Sequence, residues 1–265
     1  MKFSWAAAAA AAGVLLSALT PGILAAPIPV APGVPSTSTA RTLLNGLTVD
    51  EPGSGDGYQR SKFPTWVTIE GNCNTRYVCS MIILTSISGT PLFARDCQLR
   101  AESGSDAELC ASVFAKLLST SDAAMRSRSS EFVIKRDGSD VKTNSACVAQ
   151  SGTWVSPYDG DEFDEASELD IDHLVPLKNA WISGAADWTT ADRKSFANDI
   201  TRPQLWAVSA HANRAKGDKS PDHWKPDLQD FWCTYSKSWI QVKSFYNLTV
   251  TEDESGALAS MLDTC

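Results

Sequence analysis

The sequence predicts an α+β fold, in which a small β-hairpin region is followed by helices and stapled by disulfides. Short alternating stretches with turn residues lie before Pro176, whereas apolar residues recur at helical spacing after it. Seven cysteines in a chain that begins like an exported protein indicate disulfide bonds. Nine Trp and nine Phe supply the large apolar side chains that one core needs.

The N-terminal region predicts export. Residues 1–26 start with a basic residue, continue as an apolar run and end in small residues, which is the layout of a signal peptide. Residues 27–40 are rich in Pro, Ser and Thr, a composition that predicts an unfolded leader or linker. We therefore expect residues 41–265 to form the folded domain of a secreted protein. No later run is long enough for a membrane anchor.

The β region is predicted from three stretches. Residues 131–143, EFVIKRDGSDVKT, alternate around Asp137-Gly138, which predicts a β-hairpin. Residues 147–158 predict a further strand and turn. Residues 170–177, DIDHLVPL, predict a strand that carries charged side chains in an apolar run.

Helical spacing predicts helices beyond Pro176, in residues 189–200, 203–217, 227–246 and 251–264. Thr189 with Asp192, and Thr251 with Glu254, stand at the separation of a capping box.

Residues 77–130 fit this pattern poorly. They bring in three of the seven cysteines, and without them Arg76 would join Glu131 directly. Two interpretations stay open: a genuine insertion on a surface loop, which costs little free energy, or a translated intron. The remaining cysteines form an even set, for which we predict the pairs Cys73–Cys147 and Cys233–Cys265.

The run DIDHLVPL and the later stretch HANRAKGDKSP carry the candidate chemistry. Asp172 and Asn213 offer the hard oxygen atoms that Mg²⁺ prefers, and a neutral His173 can accept a proton from water. The formal net charge of −8 argues against non-specific binding of nucleic acid, because phosphate affinity depends on Lys and Arg. Chemistry on nucleic acid would therefore require a local basic patch or a metal ion.

The motif D-x-D-H-x-V-P-L, followed by N-R-x-K-G-D-K-x-P, resembles the HNH endonucleases of the ββα-metal (His-Me finger) type. The resemblance is to the branch that includes the C-terminal domains of GmrSD-type restriction enzymes and exported bacterial and fungal proteins. It runs from Trp66 to Pro226 without residues 77–130. It implies a ββα-metal core, one divalent ion, most often Mg²⁺, and hydrolysis of DNA or RNA to a 5′-phosphate and a 3′-hydroxyl.

The resemblance also implies roles for individual residues. Asp172 and Asn213 correspond to the metal ligands, and His173 corresponds to the general base. Gln204 stands where the family's central Asn lies, and can hydrogen-bond to position the strand that bears His173. The basic residues expected at the site, for catalysis or phosphate contact, are Lys216, Lys219 and Arg76.

Other classes find less support. The chain lacks the G-x-S-x-G and H-E-x-x-H motifs of serine esterases and zinc proteases. A secreted binding or effector protein that keeps the fold without catalysis is the alternative, favoured by the acidic charge and by Gln204. The sequence indicates no obligate protein partner. As a base with an ordinary pKa of about 6.5, His173 predicts that activity falls below that pH.

Overall fold

The computed structural model describes residues 28–70, 84–85, 91–92, 126–145 and 148–265, and it confirms the α+β class. The helices are α1 (Thr37–Gly46), α2 (Ser129–Asp137), α3 (Leu177–Ile182), α4 (Thr190–Ala197), α5 (Ala210–Lys216), α6 (Trp232–Phe245) and α7 (Glu252–Leu262). The strands are β1 (Thr68–Glu70), β2 (Leu84–Thr85), β3 (Pro91–Leu92), β4 (Arg126–Arg128), β5 (Ser139–Thr143), β6 (Ala149–Val155), β7 (Glu162–Glu165), β8 (Leu169–His173) and β9 (Leu205–Ser209).

The strands form small antiparallel sheets. β1 pairs with β4 and β2 pairs with β3. β5, β6 and β7 form a three-stranded sheet, in which β6 is the strand expected within residues 147–158. β8 pairs with β9, and the next helix, α5, begins one residue after β9 ends.

Strands β8 and β9 pair with each other, and helix α5 packs against both. Asp172 lies opposite Trp206 and His173 lies opposite Leu205. All five residues of β9 are buried, so β9 is a core strand. The single helix predicted over residues 203–217 is therefore wrong in its first half, because pairing with β8 overrides the local helical spacing. The second half, α5, ends at Lys216, before Gly217 with φ of 56°.

The hairpin predicted over residues 131–143 is also wrong. Residues up to Asp137 form α2, whose buried residues Val133, Ile134 and Asp137 share one helical face. Asp137 accepts the backbone N–H of Ala207 at 3.0 Å, so the Asp-Gly pair marks the helix end against β9 rather than a turn. Gly138 is required there, because a Cβ would lie 2.3 Å from the Trp154 indole nitrogen.

The expectation of an unfolded stretch over residues 27–40 differs from the structure. Ser36 caps α1 by accepting the N–H of Thr39, and Ala31 and Ala40 are buried. Helix α1 packs against α6 and α7, so this segment completes the helical core. Ala40 and Leu44 form the buried face of α1, which the Pro, Ser and Thr content of residues 27–40 conceals.

The C-terminal helices agree with the sequence pattern. Tyr235, Trp239 and Val242 of α6 are fully buried, and the predicted Cys233–Cys265 disulfide ties the end of the chain to α6. The capping box predicted at Thr189 and Asp192 is present at α4. At α7 the hydroxyl of Thr251 caps the helix. The Glu254 carboxylate turns inward instead, where it accepts the indole N–H of Trp239.

Several sequence expectations lie outside the described residues. They concern the signal peptide, residue Arg76, and the five cysteines other than Cys233 and Cys265. Among the residues that the structure describes, no helix is long and apolar enough to cross a membrane.

Replacing Leu44 with Ala should lower the free energy of unfolding by about 2 kcal/mol or more, because it opens a cavity between α1 and the helices beneath it. Urea denaturation of the secreted protein measures the change. Asn45→Ala, an exposed neighbour on the same helix, should stay within about 0.5 kcal/mol of the parent. Equal, negligible effects of both substitutions would mean that α1 is not packed against α6 and α7.

Candidate active site

The three residues expected to carry the chemistry line one pocket. Asp172 and His173, at the end of β8, meet Asn213 of α5 in a pocket of about 270 Å³. The sequence brings them together because β8 ends beside the start of β9, and α5 follows β9 directly. The hydroxyl of Ser209 fixes the start of α5 by accepting the N–H of Ala212 at 3.1 Å.

Asp172 is held by two partners from distant parts of the chain. Its carboxylate accepts the hydroxyl of Tyr158 at 2.6 Å, and it forms an ion pair with Lys216 at 2.8 Å. The Lys216 ammonium also donates to the carbonyl oxygen of His173 at 3.0 Å. Both side chains of the ion pair are buried, so the pair fixes α5 against the end of β8.

Burial acts on the pKa of each member of this cluster. Desolvation raises the pKa of Asp172, which the adjacent Lys216 ammonium opposes. Desolvation lowers the pKa of Lys216, which Asp172 opposes in turn. Desolvation, the Asp172 charge and the hydrogen bond to it raise the pKa of the Tyr158 phenol well above its ordinary value. Tyr158 is thus the donor in its bond to Asp172.

His173 is oriented by a backbone carbonyl and by an indole. Its Nε2 lies 2.9 Å from the carbonyl oxygen of Ala197. A carbonyl only accepts, so Nε2 carries the proton and Nδ1 carries the lone pair of a neutral ring. The Trp66 ring packs beside the imidazole at 5.3 Å between centroids. Burial, and to a smaller extent the charges of Arg60 and Lys216, lower the pKa of His173 to about 3.

Gln204 is hydrogen-bonded to the backbone that follows His173. It is fully buried, accepts the N–H of Val175 at 3.1 Å and donates to the carbonyl of Val175 at 2.9 Å. The backbone carbonyl of Gln204 also accepts the N–H of Leu174 at 2.7 Å. These bonds continue the β8–β9 ladder beyond His173. Gln204 thus holds the chain just beyond His173 and does not line the pocket.

Asn213, which was expected to hold a metal ion together with Asp172, is hydrogen-bonded to the other aspartate of the motif. Its amide donates to Asp170 Oδ2 at 3.0 Å, two residues before Asp172 on the same face of β8. Asp170 and Asn213 also line a neighbouring pocket of about 430 Å³, with Trp66 and Glu131. The sequence predicted that Asp170 and Asp172 share one face of the strand. It did not predict that Asn213 bonds to Asp170 while Tyr158 and Lys216 bond to Asp172.

The predicted basic residues do not all reach the pocket. Lys216 is fully buried and bound as described. Lys219 donates to the carbonyl of Ala215 at 2.7 Å and does not line the pocket. The sequence reasoning missed Tyr158, Asp170 as a partner of Asn213, and Arg60, which lines both pockets. Asp170 lay within the quoted motif, whereas Tyr158 and Arg60 carry no local signal.

Fold and site together define a small α+β protein in which a carboxylate, a histidine and an amide converge from a strand pair and the helix that follows it. The profile of the GmrSD restriction endonucleases, C-terminal domain, matches residues 119–261. The chain belongs to this family.

One relative adds the location. It is 45% identical over 251 residues, which cover 95% of this chain and 97% of the relative, and it is named "Uncharacterized secreted protein" from Arthroderma benhamiae. The secreted location predicted from the sequence is thereby confirmed. No solved structure matches the chain.

Replacing Lys216 with Ala should lower the free energy of unfolding by about 3–5 kcal/mol, because it leaves Asp172 as a buried charge without its partner. The matched control is Lys178→Ala, which removes an exposed ion pair with Asp218 and should cost no more than about 1 kcal/mol. Chemical denaturation compares the two. Similar small losses would contradict the buried ion pair.

The depressed pKa of His173 predicts a stability change in acid. Between about pH 6.5 and about pH 3 the unfolded chain binds a proton at His173 that the folded chain does not. Folding stability therefore decreases as the pH falls through this window, by up to about 1.4 kcal/mol for each pH unit. The same shift moves the expected acid limit of activity below the ordinary histidine range.

Denaturation of the parent and of His173→Asn at pH 7 and pH 4.5 isolates this contribution, since other titrating groups are common to both. The parent should lose more stability than the variant. His211→Asn, an exposed histidine on α5, should behave like the parent. Equal pH dependence of the parent and His173→Asn would show that His173 titrates normally.

Proposed function

We propose that this protein is a secreted metal-dependent nuclease that hydrolyses phosphodiester bonds of DNA or RNA. The observation that carries the proposal is the convergence of Asp172, His173 and Asn213 on one pocket of about 270 Å³. Membership of a restriction endonuclease domain family supports the same reaction class.

We further propose that β8, β9 and α5 constitute a ββα-metal core. Two features support it: the strands are antiparallel and in register from Leu169–Ser209 to His173–Leu205, and α5 contacts both strands. In this arrangement Asp172, which precedes His173, and Asn213 of α5 line the same pocket.

In this proposal His173 is the general base. Its Nδ1 lone pair accepts a proton from the attacking water as the new oxygen–phosphorus bond forms. The bond to the 3′ oxygen breaks, which leaves a 5′-phosphate and, after protonation, a 3′-hydroxyl. The negative charge of a bound phosphate favours a protonated imidazole, so substrate binding makes His173 a stronger base than it is in the free protein. Lys216 holds the His173 carbonyl, and Gln204 holds the two residues that follow it.

The donor set fits a hard divalent ion. An ionised carboxylate offers about four lone-pair sites, of which Lys216 and Tyr158 contact three on Asp172. Asp172 and Asn213 would hold the ion, with Asp170 beside them, and Mg²⁺ is the common cation that such oxygen ligands suit. Bound there, the ion would stabilise charge on the phosphate and on the leaving oxygen.

The protein ligands are few. Among the described residues, no group of three or more His, Cys, Asp or Glu side chains is placed to hold a metal ion. Mg²⁺ commonly binds through one or two carboxylates, keeps several waters and adds substrate phosphate oxygens. The proposal therefore implies weak binding of the ion alone and tighter binding with nucleic acid present.

The test is cleavage of plasmid DNA and of a structured RNA by the purified protein, with Mg²⁺ or with EDTA. Cleavage should require the metal, and His173→Ala should slow it by about 100-fold to 10,000-fold, because the general base is lost. His211→Ala, which removes an exposed histidine of α5, should cleave at the parent rate.

A second measurement separates metal binding from activity. Mn²⁺ binding, followed by electron paramagnetic resonance in the presence of an uncleavable phosphorothioate oligonucleotide, should weaken in Asn213→Ala. A folded parent protein that binds metal or nucleic acid but cleaves neither substrate would favour the binding or effector protein on the same fold.

A further inference from the structure

The proposed reaction needs a cation that can reach a phosphate, and the lysines beside the pocket are already engaged. The Lys216 ammonium has no exposed surface, and it contacts both oxygens of Asp172 and the carbonyl of His173. An ammonium has only three donors. Lys178, which lines the pocket, is paired with Asp218 at 2.7 Å.

Arg214 and Arg60 also line the pocket that contains His173, and of the two it is Arg60 that lines the neighbouring pocket as well. Arg60 is exposed and lines both the pocket that contains His173 and the neighbouring pocket that contains Trp66. Ile171 and Asn213 are the other residues common to the two pockets, so Arg60 stands where they adjoin. No hydrogen bond or ion pair joins its guanidinium to any residue in the described part of the chain.

The backbone around Arg60 is anchored, so the side chain starts from a fixed point. Arg60 begins a short 3-10 turn that ends at Lys62, whose carbonyl accepts the Arg193 guanidinium at 3.1 Å. The next residue, Phe63, is buried and packs against the Trp181 and Phe196 rings. A held backbone reduces the entropy that a binding side chain loses when it orders.

Arg60 brings a positive charge to the pocket that contains His173. In a chain with a net charge of −8, a free cation at the mouth of this pocket supplies the local positive charge that phosphate binding needs.

We propose that Arg60 binds the phosphate of the substrate strand at the junction of the two pockets, next to His173 and Asn213. The planar guanidinium can donate two parallel hydrogen bonds to non-bridging phosphate oxygens. Arg60 is thus a substrate-binding residue supplied by the segment before β1. This proposal rests on the proposed nuclease function.

Binding is tested separately from cleavage in the His173→Ala background. The probe is a fluorescein-labelled single-stranded oligonucleotide, whose anisotropy is followed at a fixed Mg²⁺ concentration over a series of KCl concentrations. Adding Arg60→Ala should weaken binding about tenfold or more, since a hydrogen bond to a charged group contributes at least that factor. The slope of log affinity against log salt should decrease by about 0.7, which corresponds to one lost phosphate contact on a single strand.

Two further variants serve as controls for Arg60→Ala. Arg60→Lys keeps the charge, so it should retain the salt slope while losing part of the affinity that the two parallel bonds provide. Arg41→Ala removes an exposed arginine of α1 that is paired with Asp263, and it should match the parent in affinity and in slope. In the active protein, Arg60→Ala should raise KM more than it lowers kcat.

Arg60→Ala with the affinity and salt slope of Arg41→Ala, in a protein that still cleaves, would overturn the assignment of Arg60 and leave the nuclease function intact. A protein that neither cleaves nor binds the oligonucleotide at low salt would overturn both. If Arg60→Ala weakens binding and lowers the salt slope by about 0.7, in a protein that cleaves, the result supports both the assignment of Arg60 and the nuclease function.

Discussion

The buried ion pair between Asp172 and Lys216 is the interaction on which the centre of this protein depends. It joins the end of β8 to the last residue of α5, and Tyr158 joins the loop after β6 to the same carboxylate. A buried charge is costly unless its partners satisfy it, and here each donor of the ammonium has an acceptor. Three segments far apart in sequence are thereby held around one side chain, and the pocket takes its shape from them.

A second buried ion pair joins the C-terminal helices α6 and α7. Lys243 is fully buried and contacts Glu254 Oε1 at 3.2 Å and the carbonyl of Thr249 at 2.8 Å, and the indole N–H of Trp239 donates to the same Glu254 oxygen. This cluster locks α6 to α7. The first ion pair thus organises a pocket, whereas the second organises packing. The difference lies in their surroundings, since only the first stands beside a histidine and an open volume.

The sequence predicted those parts of the fold and of the site that depend on interactions between residues close together in the chain. Helix α4 and its capping box are local, and the sequence predicted them. Strand β9 and helix α2 were misjudged because their local patterns favour another structure, while pairing with β8 and the buried contacts of Asp137 decide the outcome. Within the site, the spacing predicted Asp172, His173 and Asn213. It could not predict Tyr158 or Arg60, which approach through tertiary contacts alone.

The pairing of β1 with β4 has a practical consequence for protein engineering. It sets Glu70 opposite Arg126, so two residues that are 56 positions apart in the sequence are neighbours in an antiparallel ladder. A host structure tolerates an inserted module best where the two attachment points lie side by side, because closing the join then costs little and strains nothing else. The end of this ladder is therefore a suitable insertion site for a reporter or an affinity module, at which Trp66 and α2 would keep their positions.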